Sequence, residues 1–122
     1  MSKRSFLQSF KFAFEGLRFI ARTETHIRIH IILAFVAILS AALLKVSKFE
    51  FLFIFIAIAL VFVAEIVNTA FEILIDFLKG QRKSVSIRVM KDVAAAGVLI
   101  ASINSLVVAS FILIPKFVRL FT

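Results

Sequence analysis

Residues 51–78 read FLFIFIAIALVFVAEIVNTAFEILIDFL, and this stretch changes character half-way. Its first 14 residues are wholly apolar; then Glu65, Asn68, Thr69, Glu72 and Asp76 appear among continuing Ile, Val and Phe. The run has the length and apolarity of a membrane-spanning helix. Within it the polar residues recur every three or four positions, so Glu65, Asn68 or Thr69, Glu72 and Asp76 lie along one helix face. An ionisable group inside a span costs at least about 2.5 kcal/mol, so carboxylates at Glu65 and Glu72 are not there for packing. Asp76 lies almost at the membrane edge, where helix-to-helix hydrogen bonding or snorkelling is an adequate explanation. Glu65 and Glu72 are about 10 Å apart along the axis at 1.5 Å per residue, too far to grip one ion head-on. Distinct roles are expected, one as a base and one as a ligand.

Outward from this helix the chain is organised by apolar runs. Ile29–Leu44 is apolar apart from His30 and Ser40, and with its flanks it nearly reaches spanning length. Residues 45–49 leave room only for a tight turn between antiparallel helices. Residues 79–91, KGQRKSVSIRVMK, read as a polar basic loop, and Val93–Ile114 supply a third span closed by Pro115. Residues 3–24 carry Arg4, Gln8, Lys11, Glu15, Arg18 and Arg22 on one stripe and Phe6, Phe10, Phe14, Leu17 and Ala21 on the other side. That pattern describes an amphipathic helix lying in the membrane surface, basic groups toward headgroups. The expected architecture is an all-α membrane protein in one domain over 1–122, with a surface helix at about 3–24 and spans at about 28–46, 50–78 and 92–114. The first apolar run begins too far along for a secretory signal and is expected to be a retained anchor.

Composition agrees: 62% of the 122 residues are apolar, only 18% are charged, and Gly and Pro number three and one. The formal charge of +8 is distributed around the apolar runs instead of forming one patch, which excludes nucleic acid and points to anionic headgroups. With no Cys there is no disulfide framework, thiolate metal site or cysteine nucleophile. Lys and Arg concentrate in the amino-terminal segment and the 79–91 loop, so both are expected on the cytoplasmic side.

At that cytoplasmic level the chain also carries Glu24, ending the surface helix, and the pair Lys91 and Asp92, opening the third span. Carboxylates for a hard cation, an acceptor for a hydroxyl proton and a lysine for phosphate are the parts of phosphoryl transfer. No phosphate-binding loop of the P-loop or protein-kinase type exists, since Gly16, Gly80 and Gly97 stand alone. His26 and His30 have a spacing that could bind a transition metal, but without a surrounding zincin motif they read as ordinary side chains. Gly97, Ala101, Ser105 and Ala109 put a small residue at every fourth position, for oligomerisation or for close packing within the chain.

Residues 65–72, EIVNTAFE, and 91–99, KDVAAAGVL, resemble the signature segments of bacterial integral-membrane diacylglycerol and undecaprenol kinases, E-x-x-N-[TS]-A-x-E and K-D-x-x-A-x-x-V. EGLR at 15–18 and TETHIRIH at 23–30 follow the same order and spacing, so the resemblance covers about residues 5–110. It implies a homotrimer with composite active sites at protomer boundaries and transfer of the ATP γ-phosphoryl group to the hydroxyl of a membrane lipid. Glu65 would be the general base, Glu72 and Glu24 would hold Mg2+ and so meet the nucleotide, Asn68 and Asp76 would support the site, and Lys91 and Asp92 would contact ATP. The 80–86 segment lacks the acidic residue, aromatic and His with which many relatives meet the nucleotide, so no adenine contact carries over. Phe12 replaces a family aromatic hydroxyl, and Gly97 stands one place later than in many relatives. The RIH and KDVAA segments resemble the type common in Gram-positive bacteria, many of which prefer undecaprenol to diacylglycerol. The expected function is thus a lipid kinase of the bacterial cytoplasmic membrane, undecaprenol first and diacylglycerol second; the rival from another class is a small membrane oligomer or proton-coupled transporter using the acidic stripe as a relay.

Overall fold

A computed structural model describes residues 5–79 and 85–122, and these residues form four helices: α1 (Phe6–Thr23), α2 (Thr25–Leu43), α3 (Lys48–Lys79) and α4 (Val85–Arg119). The last three are long and apolar enough to cross a membrane. The expected Arg4 at the head of the α1 stripe, and the adenine-contact segment up to residue 84, lie outside the described residues.

α1 opens on a capping box: the Gln8 amide donates to Ser5 Oγ at 3.2 Å, and the Ser5 amide donates to Gln8 Oε1 at 3.0 Å. None of its residues is buried, and Phe6, Phe14 and Phe19 are exposed. A helix whose apolar side its own protein leaves uncovered suits the membrane surface. Its inner flank forms, with Ile31 of α2 and Phe62 and Ile66 of α3, a cavity of about 790 Å3. α1 stops because Glu24 turns extended (φ −105°, ψ 114°), serving as the C-cap of α1 and the N-cap of α2. The bend sends the chain from the surface into the bundle.

α2 ends in a Schellman motif, with the amide of Val46 on Ala41 O (3.2 Å) and that of Lys45 on Ala42 O (3.3 Å). The motif needs a left-handed residue, and Lys45 takes it at φ 55° where glycine is usual. α3 restarts at once on a second reciprocal cap, the Ser47 amide on Glu50 Oε1 (2.8 Å) and the Glu50 amide on Ser47 Oγ (3.2 Å). Lys116 of α4 reaches the same Glu50 oxygen at 3.1 Å, which ties the α2–α3 turn to the far end of α4.

Most tertiary packing is between antiparallel α3 and α4; α2 lies against α3 and barely meets α4. The buried positions of α3, Ile54, Ala57, Val61, Glu65, Thr69 and Ile75, form a continuous stripe, so the polar face legible in the sequence is the inward face. Between α2, α3 and α4 the thinner packing leaves a cavity of about 400 Å3, largely apolar, with His30, Ser40, Ser102 and Ser105 among its lining.

Two expectations about α4 are corrected. Residues 85–91, read as loop, are its first two turns: Val85, Ile87, Val89 and Met90 are compatible with helix, and Lys91 anchors the segment to Asp76 of α3 at 2.8 Å. At the other end the helix passes through Pro115 to Arg119 instead of closing there. Pro115 gives up one bond to the preceding turn. The residues beyond it are held by the Lys116–Glu50 pair and by edge-to-face packing of Phe117 on Phe121, with ring centroids 5.2 Å apart.

Candidate functional site

The chemistry-bearing residues gather at one end of the bundle, where the second half of α3 faces the starts of α2 and α4. Deepest is Glu65, 6% exposed, followed one turn later by buried Thr69. Glu65 Oε1 lies 3.1 Å from His30 Nε2 of α2. That separation is ion-pair distance, and it brings the imidazole of one helix against the carboxylate of another. One turn toward the end, Asn68 Nδ2 donates to Glu72 Oε1 at 3.1 Å, and both side chains are half-buried. The remaining amide oxygen, Asn68 Oδ1, is buried without a hydrogen-bond partner. Outermost is the exposed Lys91–Asp76 pair at 2.8 Å, with Glu72 close enough to add to the attraction on Lys91.

The polar residues thus run along some 16 Å of α3, from a buried carboxylate at Glu65 to an exposed ion pair at Asp76, taking eleven residues at 1.5 Å. Asp92 is exposed beside Lys91 on α4, and Glu24 is half-buried at the α1–α2 bend. Among the described residues no group of three or more His, Asp and Glu is assembled for a metal. The cation implied by the sequence has a different kind of site available. A carboxylate at Glu72 with the spare oxygen of Asn68 beside it offers hard oxygen donors, and Mg2+ is commonly held by one or two carboxylates together with substrate phosphates and water.

Residues 11–113 match the family model described as prokaryotic diacylglycerol kinase. The chain belongs to that family. It is 31% identical over 114 residues to a protein of Synechocystis sp. named diacylglycerol kinase, an alignment that covers 93% of this chain and 65% of that protein. It is 30% identical over 111 residues to a Bacillus subtilis protein named undecaprenol kinase, covering 91% of this chain and 89% of that one. The chain thus spans just under two thirds of the length of the Synechocystis relative and most of the Bacillus one. Glu24, Glu65, Asn68, Glu72, Asp76, Lys91 and Asp92 all fall inside the part matched to the diacylglycerol kinase family.

The residue missed in the sequence is His30. Read beside His26 as an ordinary side chain, it is the one that meets Glu65, whereas His26 is exposed one turn earlier. The available signal was its isolation: it is the only ionisable group in Ile29–Leu44, and an ionisable group in a span calls for a named partner.

Proposed function

We propose that this protein is a lipid kinase that moves the γ-phosphoryl group of ATP onto the hydroxyl of a membrane-embedded lipid alcohol. The observation that carries it is the graded site itself: a buried carboxylate deep in a spanning helix, an Asn–Glu pair above it, and a lysine at the mouth. Glu65, the proposed general base, accepts the acceptor's hydroxyl proton. The freed lipid oxygen forms a bond to the γ-phosphorus as the bond from that phosphorus to the β,γ-bridging oxygen breaks, and ADP leaves with the electron pair. Glu72, with Asn68 Oδ1 and with Glu24, would hold Mg2+, whose chemistry is to neutralise charge on the phosphates. Lys91 and Asp92 face the nucleotide, and Asp76 holds Lys91 at the mouth until a phosphate competes for its ammonium.

The transporter alternative wants carboxylates near the bilayer midplane with access from both sides. Here the stripe from Glu65 to Asp76 leads to the end that holds Lys91, Glu50 at the other end being paired with Lys116, and the positive-inside pattern supports a cytoplasmic placement of the Lys91 end. The working unit in this reading is a homotrimer with sites completed between protomers in the bacterial cytoplasmic membrane, as the family resemblance implies. The acceptor is undecaprenol in preference to diacylglycerol, supported by the RIH and KDVAA segments and by the near end-to-end match to the Bacillus relative. Purified protein given radiolabelled ATP, with undecaprenol and diacylglycerol side by side, tests both levels. Phosphate transfer to neither lipid defeats the kinase reading; preferential labelling of diacylglycerol overturns only the choice of acceptor. Glu65→Gln is expected to abolish transfer with fold and assembly intact, and full activity in that variant would remove the base assignment.

A further inference from the structure

The imidazole of His30 has its position on two sides defined by the fold. On one side its Nε2 lies 3.1 Å from Glu65 Oε1; on the other His30 lines the 400 Å3 cavity between α2, α3 and α4. The side chain is 22% exposed and its partner 8%, so the contact is largely withdrawn from the surface. Glu65 itself has three side-chain torsions and, among its neighbours on α3, sits next to the apolar Ala64 and Ile66 and one turn from Val61 and Thr69. The contact with His30 joins two different helices, α2 and α3, which lie against each other.

A base that takes a proton from a bound alcohol needs one oxygen aimed at that alcohol, and a carboxylate free to rotate offers this only part of the time. A donor fixed on Oε1 removes that freedom and presents Oε2. We propose that His30 is a positioning residue for Glu65: through its Nε2–H it holds the carboxylate in the orientation that directs Oε2 toward the acceptor hydroxyl. It takes no proton in the reaction and touches no phosphate. This rests on the reading of Glu65 as the base, and the test separates the two.

The variants are His30→Phe, His30→Gln and His30→Asn, with Glu65→Gln alongside, each as the full chain in detergent–lipid micelles with its melting temperature and oligomer size recorded. Phe keeps the ring and loses the donor. The amide nitrogen of Gln reaches about as far as Nε2, whereas that of Asn reaches only about as far as Nδ1. Misplacing a catalytic group by about 1 Å costs on the order of 100-fold. His30→Phe is therefore expected to lower kcat by about that factor, with KM for ATP and for lipid unchanged. His30→Gln should recover at least tenfold over His30→Phe, and His30→Asn should not. A purely structural role would move the melting temperature and leave Gln and Asn alike. Parent kcat in His30→Phe while Glu65→Gln is inactive overturns the positioning role alone. So does a raised lipid KM at unchanged kcat, which would put His30 in acceptor binding. Equal turnover of the Gln and Asn variants overturns it even where the Phe variant folds poorly. Full turnover in Glu65→Gln removes the base reading and this inference with it.

Discussion

At the scale of single residues, the site distinguishes Glu65 from Glu72 by what each is bonded to. Glu65 is buried, with the imidazole of His30 from another helix 3.1 Å away; Glu72 is half-buried and takes an amide N–H from its own. In the proposed reaction the first arrangement orients a base, and the second leaves carboxylate and amide oxygens that would hold a cation. Glu72→Ala is accordingly expected to raise the Mg2+ concentration for half-maximal rate by tenfold or more, or to remove activity. Asn68→Ala, which deletes the spare oxygen and the donor to Glu72 together, should shift Mg2+ dependence in the same direction by a smaller factor. Titrating rate against Mg2+ at fixed ATP checks both; unchanged half-saturation in the two variants argues against metal ligation. This division was half legible in the sequence. The period of 3.6 puts the acids on one face and the membrane cost argues for a function, but a contact between residues 30 and 65 depends on how two helices pack, which no local period records.

At the scale of elements, the helices were legible where the bilayer dictates them and misread where they leave it. The middle of each span follows from apolarity alone. The first turns of α4 did not, because SVSIRVMK has a loop-like composition, and it is the pairing of Lys91 with Asp76 that holds this segment to α3. The end of α4 was misread for a similar reason: Pro115 was taken as a stop, while the Lys116–Glu50 contact and the Phe117–Phe121 packing carry the helix past it. The small-residue stripe on α4 divides in the same way. Ala101, Ser105 and Ala109 are half-buried, the last two lining the cavity between α2, α3 and α4, whereas an added side-chain carbon at Gly97 meets nothing within 4 Å. Ala101→Leu should therefore overpack the protomer and lower its stability by about 1–3 kcal/mol. Gly97→Leu should leave the protomer's own packing intact. Thermal unfolding distinguishes them, and cross-linking of Gly97→Leu adds a separate reading: a lost oligomer with an unchanged protomer would locate a neighbour's helix at Gly97.

At the scale of the whole molecule, the proposed role of Glu65 as base makes its position in α3 bear on the kind of alcohol that would react. Some 16 Å of helix separates it from Asp76 at the mouth, and beside its His30 partner opens a cavity whose wall is mainly Leu, Ile, Val, Phe and Ala. In the proposed reaction ATP, heavily charged, stays near Lys91 at the surface, and the acceptor hydroxyl is brought to Glu65 from the hydrocarbon side. A lipid alcohol does this while its chain stays in an apolar medium. A soluble alcohol must leave water and gains little burial in exchange. Long-chain acceptors should thus outrun glycerol-like soluble analogues by orders of magnitude in kcat/KM at equal detergent. The advantage should fall as the chain is shortened and should be insensitive to ATP concentration. Comparable turnover of a short soluble alcohol and a long-chain one would mean that the base is reached from water, and the depth of Glu65 in α3 would then need another explanation.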